Sequence, residues 1–356
     1  MKVSQVSLTF DIPIIYHLRN LFKIESMGKF GFWFNNARPI SLPQSMLPAL
    51  TAVALSAGTG TFSWIAALAC IFGVMFAHLG MNLLDDWFDY HKGSGEARKK
   101  AASEGFRGRM TKYPYLTSGE ATPKQLLVAT GVFLAIAAAM GGVVIAVRGL
   151  MILWWMLVGF VIGYSYSGGP LKLGFRGLGE MVIFIMFGPL MMTGVYYAIT
   201  GEVTPKIAWL STSVGLLVTN IVYTHSVLDA VPDRKMGKFT MAHLMGSDKG
   251  MLALSFTLNV LPYILVIVGV ALGQLHLAYL AVLVVMPLSC WLFKSLSDFV
   301  AKKEVPIVIK KWMGPMGAFE RYRAAGLDWF MLRWLVARNV VQFFCLVAAV
   351  ISLIFG

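Results

Sequence analysis

Four oxygen-bearing side chains stand close together in Asn82-Leu-Leu-Asp85-Asp86-Trp-Phe-Asp89. On a helix Asn82, Asp86 and Asp89 fall at i, i+4 and i+7, and Asp85 at i+3, so the spacing predicts one shared face. A second acidic pair, Asp229 and Asp233, follows much later, with His225 one turn earlier on the same face. Each group ends a long apolar run, where a carboxylate must be solvated, paired or bound to a cation. Asp86, Asp89 and Asp229 also sit at the C-terminal ends of those runs, where the helix macrodipole disfavours an anion. Any one of these aspartates can be read as a solvated cap or the partner of a local lysine. Two clusters with the same unfavourable placement point instead to a cation site.

Hard divalent cations prefer oxygen ligands, and Mg²⁺ usually binds through one or two carboxylates plus substrate phosphates. Asn82, Asp85, Asp86, Asp89, Asp229 and Asp233 are therefore the candidate metal ligands. Lys92, Arg234, Lys235 and Lys238 stand nearby in sequence. Carboxylates and basic side chains in two facing clusters suit a magnesium-bridged diphosphate at a membrane surface.

The elements that must position these groups are apolar helices. Of 356 residues 58% are hydrophobic and 13% charged, about half the charge of a soluble domain. Uninterrupted apolar runs, rather than alternating ones, exclude a membrane barrel. The fold class expected is an all-α polytopic membrane protein with nine transmembrane helices around a central cavity. The spans are expected at 42–60, 62–84, 125–147, 149–166, 178–199, 206–228, 250–272, 275–294 and 334–355. Residues 1–41 are basic and aromatic-rich, which fits an amphipathic interfacial segment ahead of a single domain over 42–356.

Charge distribution orients this bundle. Of the 30 Lys and Arg residues, all but Arg148 and Lys206 lie on one set of alternating loops and ends. The positive-inside rule then places the N-terminus and both acidic clusters on the cytoplasmic side and the C-terminus outside. It also accounts for the net charge of +13 without nucleic acid. Cys70, Cys290 and Cys345 all fall within apolar runs and imply neither disulfides nor zinc.

Two further features border the acidic clusters. Gly163 to Glu180 is rich in glycine, carries Pro170, and reads as a sharp turn between spans. Tyr164, Lys172 and Arg176 in this stretch could line a polar pocket, or be ordinary loop residues, as composition alone favours. Residues 87–123 form a long basic loop with a helix-compatible stretch from Glu96 to Arg109. It closes on Thr122-Pro123, an N-cap and N1 pair for the third span.

These stretches resemble a known family. Asn82-x-x-x-Asp86-x-x-Asp89-Tyr-x-Lys-Gly93 and Asp229-x-x-x-Asp233-Arg-Lys-x-Gly-Lys238-x-Thr240 are similar to the two Asp-rich motifs of the UbiA superfamily of intramembrane aromatic prenyltransferases. Tyr164 to Glu180, together with Gly194-Val-Tyr-Tyr-Ala-Ile-Thr-Gly201, resembles its 1,4-dihydroxy-2-naphthoate polyprenyltransferase branch, which serves menaquinone synthesis. The resemblance runs from Ala37-Arg38-Pro39 to the last span. It departs at His225-Ser-Val-Leu, where that branch has Asn-Asn-x-Arg before the second-motif Asp, and at Tyr113-Pro-Tyr-Leu, where a basic residue is usual.

The resemblance implies Mg²⁺ as cofactor and a polyprenyl diphosphate as donor. Asn82, Asp86, Asp89, Asp229 and Asp233 would hold the metal as the catalytic set, with Asp85 a weaker candidate. Lys238, Lys92, Lys172 and Arg109 would neutralise the leaving diphosphate, and Tyr164, Arg176 and His225 complete the candidate substrate-binding set. The aromatic acceptor would be 1,4-dihydroxy-2-naphthoate, which loses its carboxylate. Acceptors such as 4-hydroxybenzoate, a porphyrin or a lipid alcohol stay open, and membrane lipid is the remaining partner. A CDP-alcohol phosphotransferase is disfavoured because its Asp-Gly-x-x-Ala-Arg signature is absent. A cation transporter fits poorly with carboxylates at helix ends rather than at the midplane.

Overall fold

The computed structural model describes residues 28–92, 113–235 and 237–355. Each expected span in this region falls on a helix: α1 (Pro43–Ser56), α2 (Trp64–His91), α3 (Pro123–Arg148), α4 (Met151–Ser167), α5 (Gly179–Thr200), α6 (Pro205–Leu228), α7 (Asp248–Ala271), α8 (Leu277–Val300) and α9 (Asp328–Phe355). All but α1 and α4 are long and apolar enough to cross a membrane. At 14 residues α1 is about 21 Å long, well short of the hydrocarbon thickness. The stretches 1–27 and 93–112 lie outside the described residues, and with them most of the expected amphipathic segment and the Glu96–Arg109 stretch.

Local signals explain several boundaries. Thr122 and Gln125 form a reciprocal capping box at the start of α3, with Pro123 in its first turn, as the sequence leads one to expect. Ser63 caps α2 by accepting from the amide of Ala66. Helix α6 stops at Leu228, whose carbonyl would meet the ring of Pro232 if the helix ran on. The chain turns at Asp229 and resumes as the short helix Ala230–Lys235. That break separates Asp229 from Asp233.

Helix α6 is the axis of the bundle: 72% of its apolar window is buried, the largest share of any candidate span. It packs on α5, α7 and α9, while α2 pairs mainly with α3, and α1 with α9 and α5. Burial of this order brings polar groups inside. Asn220 of α6 donates to Asn259 of α7 at 3.0 Å, an inter-helix bond in an apolar setting. Close approach of α5 and α6 depends on small residues. A Cβ on Gly188 would lie 2.5 Å from the Ser211 carbonyl oxygen, and one on Gly215 2.9 Å from that of Phe184. The same part of α5 carries a π-helical turn, Met186–Leu190, around Pro189. Met186 and Phe187 from this turn, with Met191 just after it, line the central cavity.

Because Gly215 meets backbone rather than flexible side chain, Gly215→Val forces α5 and α6 apart, an overpacking cost of about 1–3 kcal/mol. The thermal midpoint of the detergent-purified variant is expected to fall by several degrees, and an unchanged midpoint contradicts this packing.

Candidate active site

The first acidic cluster is organised by a residue at the start of the described fold. Arg38 holds a left-handed conformation (φ 63°, ψ 57°), uncommon for a residue with a side chain, just before Pro39. Its guanidinium donates to the Asn82 backbone carbonyl at 2.7 Å and pairs with Asp85 at 3.4 Å and Asp86 at 3.2 Å. Burial works to lower the Arg38 guanidinium, but the charges of Asp86 and Asp85 outweigh it and hold it above its ordinary value. Tyr115 donates to the second oxygen of Asp86 at 2.9 Å. Burial, and next the Asp86 charge, push the Tyr115 phenol well up, so it remains a donor at any working pH. Asp89 is buried as well, and its backbone carbonyl accepts from Tyr113 at 3.2 Å.

The expected common face of α2 is in fact shared between two neighbours. Asn82, Asp85, Asp86 and Asp89 span a helical arc of about 100°. Asn82 and Asp85 border the central cavity. Asp86 is fully buried between Arg38 and Tyr115. Asp85 accepts in addition from the Ser167 hydroxyl at the end of α4.

The second cluster is built at the break after α6. His225 Nε2 lies 2.8 Å from Asp229, realising the expected i, i+4 relation, and its ring meets Phe330 edge-on at 5.1 Å. Asp233 is fully buried, pairs with Lys238 at 3.1 Å, and keeps its Oδ1 buried with no hydrogen-bond partner among the described residues. Glu180 at the start of α5 accepts from the Ser226 hydroxyl at 2.6 Å and from the Met241 amide at 3.3 Å. It thereby ties the end of α6 to the chain that follows Lys238.

One cavity of about 470 Å³ lies between the clusters: Asn82, Asp85, Tyr164, His225 and Lys238 of the expected residues border it, whereas Asp86, Asp89, Asp229 and Asp233 do not. Its walls also include His78, Phe187, Met191, Trp334 and other apolar side chains. Lys92 lies beside it, donating to the Ser167 carbonyl at 2.9 Å and sitting 3.8 Å from the centre of the Phe175 ring. Lys172 and Arg176 are exposed on the turn after α4 and do not border the cavity. Arg109 lies outside the described residues. Arg38, Tyr115 and Glu180 were not among the expected site residues. Arg38 and Tyr115 gave no periodic or clustered signal, since each reaches the site from a short connecting segment.

The donor set fits a hard cation: carboxylates and one carboxamide, with buried Asp233 Oδ1 open to a partner. Among the described residues no three His, Cys, Asp or Glu side chains converge as a metal cage.

An all-helical bundle with buried carboxylates and basic side chains gathered around one apolar cavity defines an integral membrane enzyme of the intramembrane prenyltransferase type. Residues 45–307 match the UbiA prenyltransferase family, and the chain belongs to it. It is 28% identical to the 1,4-dihydroxy-2-naphthoate octaprenyltransferase of Bacillus subtilis, over 72% of this chain and 80% of that one. With the enzyme of the same name from Mycobacterium tuberculosis the identity is 25%, over 63% and 73%. The fold is similar to that of a UbiA homolog from Archaeoglobus fulgidus bound to GPP and Mg²⁺, with a TM-score of 0.54 and 16% identity, over 89% of this chain and 99% of that one. A digeranylgeranylglyceryl phosphate synthase matches with a TM-score of 0.57 at 14% identity, over 92% and 100%.

Tyr115→Phe removes a neutral donor from buried Asp86 while keeping the ring. A lost hydrogen bond to a buried charged group costs about 1.5–3 kcal/mol, so the thermal midpoint should drop measurably. Wild-type stability in this variant is the result that contradicts the assignment of Tyr115 as the partner of Asp86.

Proposed function

We propose that this prenyltransferase moves a polyprenyl group from its diphosphate to 1,4-dihydroxy-2-naphthoate in a Mg²⁺-dependent reaction with loss of CO₂. The observation that carries the reaction type is the meeting of two acidic clusters at one apolar cavity in a UbiA-family chain, through Asn82 and Asp85 on one side and the aspartate partners His225 and Lys238 on the other. The acceptor is supported by the names of its relatives in Bacillus subtilis and Mycobacterium tuberculosis. Asn82, Asp85, Asp86 and Asp89 on one side, with Asp229 and Asp233 on the other, would hold the metal. When bound, Mg²⁺ neutralises the charge of the diphosphate and makes it a better leaving group.

The residues of the chain do the rest. Lys238, held by Asp233 at the cavity wall, meets the departing diphosphate as its charge grows. The C–O bond at the first prenyl carbon breaks with its electron pair going to the diphosphate oxygen. A ring carbon of the acceptor supplies the pair for the new C–C bond. That carbon is the one bearing the carboxylate, which leaves it as CO₂, and the pair of the broken C–C bond restores aromaticity, so no ring proton need be removed there. Phe187, Met191 and Trp334 in the cavity wall keep water from the allylic cation. Arg38 keeps Asp85 and Asp86 paired when no cation is present. The positive-inside pattern supports a cytoplasmic active site with the N-terminus on the same side.

The purified protein is expected to convert radiolabelled polyprenyl diphosphate and 1,4-dihydroxy-2-naphthoate to a decarboxylated product, with EDTA stopping the reaction and Mg²⁺ restoring it. Transfer to 4-hydroxybenzoate or a lipid alcohol alone replaces the acceptor, and no transfer with any acceptor contradicts the reaction. Asp86→Ala and Asp229→Ala should each lower turnover by at least about 100-fold, the scale of losing a metal-borne electrostatic contribution.

A further inference from the structure

The cavity wall carries a polar network that the reaction scheme above leaves unused. His78 borders the cavity on α2, one turn before Asn82. Both its ring nitrogens face serines of the preceding segment, with Nε2 3.1 Å from Ser41 Oγ and Nδ1 2.6 Å from Ser45 Oγ. Asn82 Nδ2 reaches the same Ser41 oxygen at 3.0 Å and the Ala37 carbonyl at 3.0 Å. Ser41 Oγ also lies 2.8 Å from the Arg38 carbonyl.

A backbone carbonyl only accepts and so demands a donor. Ser41 has one proton, which it turns to the Arg38 carbonyl or to the His78 ring, and in either case its oxygen accepts from Asn82. His78 spans Ser41 and Ser45 with its two ring nitrogens and so holds the Ser41 hydroxyl in place, while Ser45 Oγ also lies 3.2 Å from the Leu42 carbonyl. The Ala37 carbonyl places the same demand on Asn82, because an amide oxygen in that position would face another oxygen. With both amide protons engaged, Oδ1 is the atom of Asn82 that no donor from the described residues reaches. Asn82 borders the cavity, and a hard cation takes an amide only through its oxygen.

We propose that Ser41, itself held by His78, is a positioning residue that presents the Asn82 amide to the metal oxygen-first. This rests on Asn82 being a cation ligand, as set out under the proposed function. Ser41 and His78 touch neither substrate nor metal in this arrangement and act through the amide alone. Groups that orient a ligand from behind are commonly worth on the order of 10–100-fold in metal affinity.

The test is a Mn²⁺ titration followed by electron paramagnetic resonance, on the full-length protein with the unreactive donor geranyl thiodiphosphate. Ser41→Ala and His78→Phe should weaken Mn²⁺ binding by about 10-fold or more. Ser41→Thr and His78→Gln keep the hydroxyl and an N–H donor and should restore binding to near wild type. In an Asn82→Ala background Ser41→Ala should add nothing, because the amide it orients is gone. Equal losses in both backgrounds, or no loss in either, overturn the proposal. If Asn82→Ala itself leaves Mn²⁺ binding unchanged, the reading of Asn82 as ligand falls, and the positioning role with it.

Discussion

Four aspartates buried at the ends of two apolar helices are the constraint on which the rest of the structure depends. Asp86, Asp89, Asp229 and Asp233 are each nearly or fully removed from solvent. An ionised carboxylate in that position is tolerable only with compensating charge and hydrogen bonds. The fold supplies these from short connecting elements as well as from α6. Arg38 and Tyr115 serve Asp86, while His225 serves Asp229 and Lys238 serves Asp233. Asp233 keeps one buried oxygen, Oδ1, with no hydrogen-bond partner among the described residues.

The bundle explains how two clusters far apart in sequence meet. Helix α6 runs through the middle, and the glycine contacts of α5 and α6 let α5 pack closely on it. The break after Leu228 turns the chain so that Asp229 stays with His225 while Asp233 meets Lys238. Glu180 reaches from α5 to the end of α6 and to Met241, fixing that turn against the cavity. The π turn at Met186–Leu190 adds apolar wall to that cavity. Polar ends and apolar walls thus come from the same few helices.

Much of this was legible in the residues. Apolar runs and basic loops predicted the spans, and each of those spans carries a helix, although α1 and α4 are shorter than membrane-crossing length. The i, i+4 spacing of His225 and Asp229 anticipated their contact, and Thr122-Pro123 the start of α3. Helical periodicity did not reveal how the 100° arc of the first cluster divides between the cavity and the Tyr113–Thr117 segment. That division depends on what packs on each side of α2. Arg38 and Tyr115 were missed for the same reason, because a contact between a loop residue and a helix end leaves no periodic trace. Lys172 and Arg176 are exposed on the glycine-rich turn, as composition alone favoured, although the family resemblance placed them in the substrate-binding set.

The central claim is that both acidic clusters act on one metal-bound diphosphate, and a double-mutant cycle measures that directly. Metal-dependent binding of an unreactive prenyl diphosphate analogue would be compared in wild type, Asp86→Asn, Asp229→Asn and the double variant. If the clusters share one ligand, the double variant loses little more than either single one, with a coupling of at least about 1 kcal/mol. Strictly additive losses would mean that the two clusters serve separate ligands, and the account would be wrong.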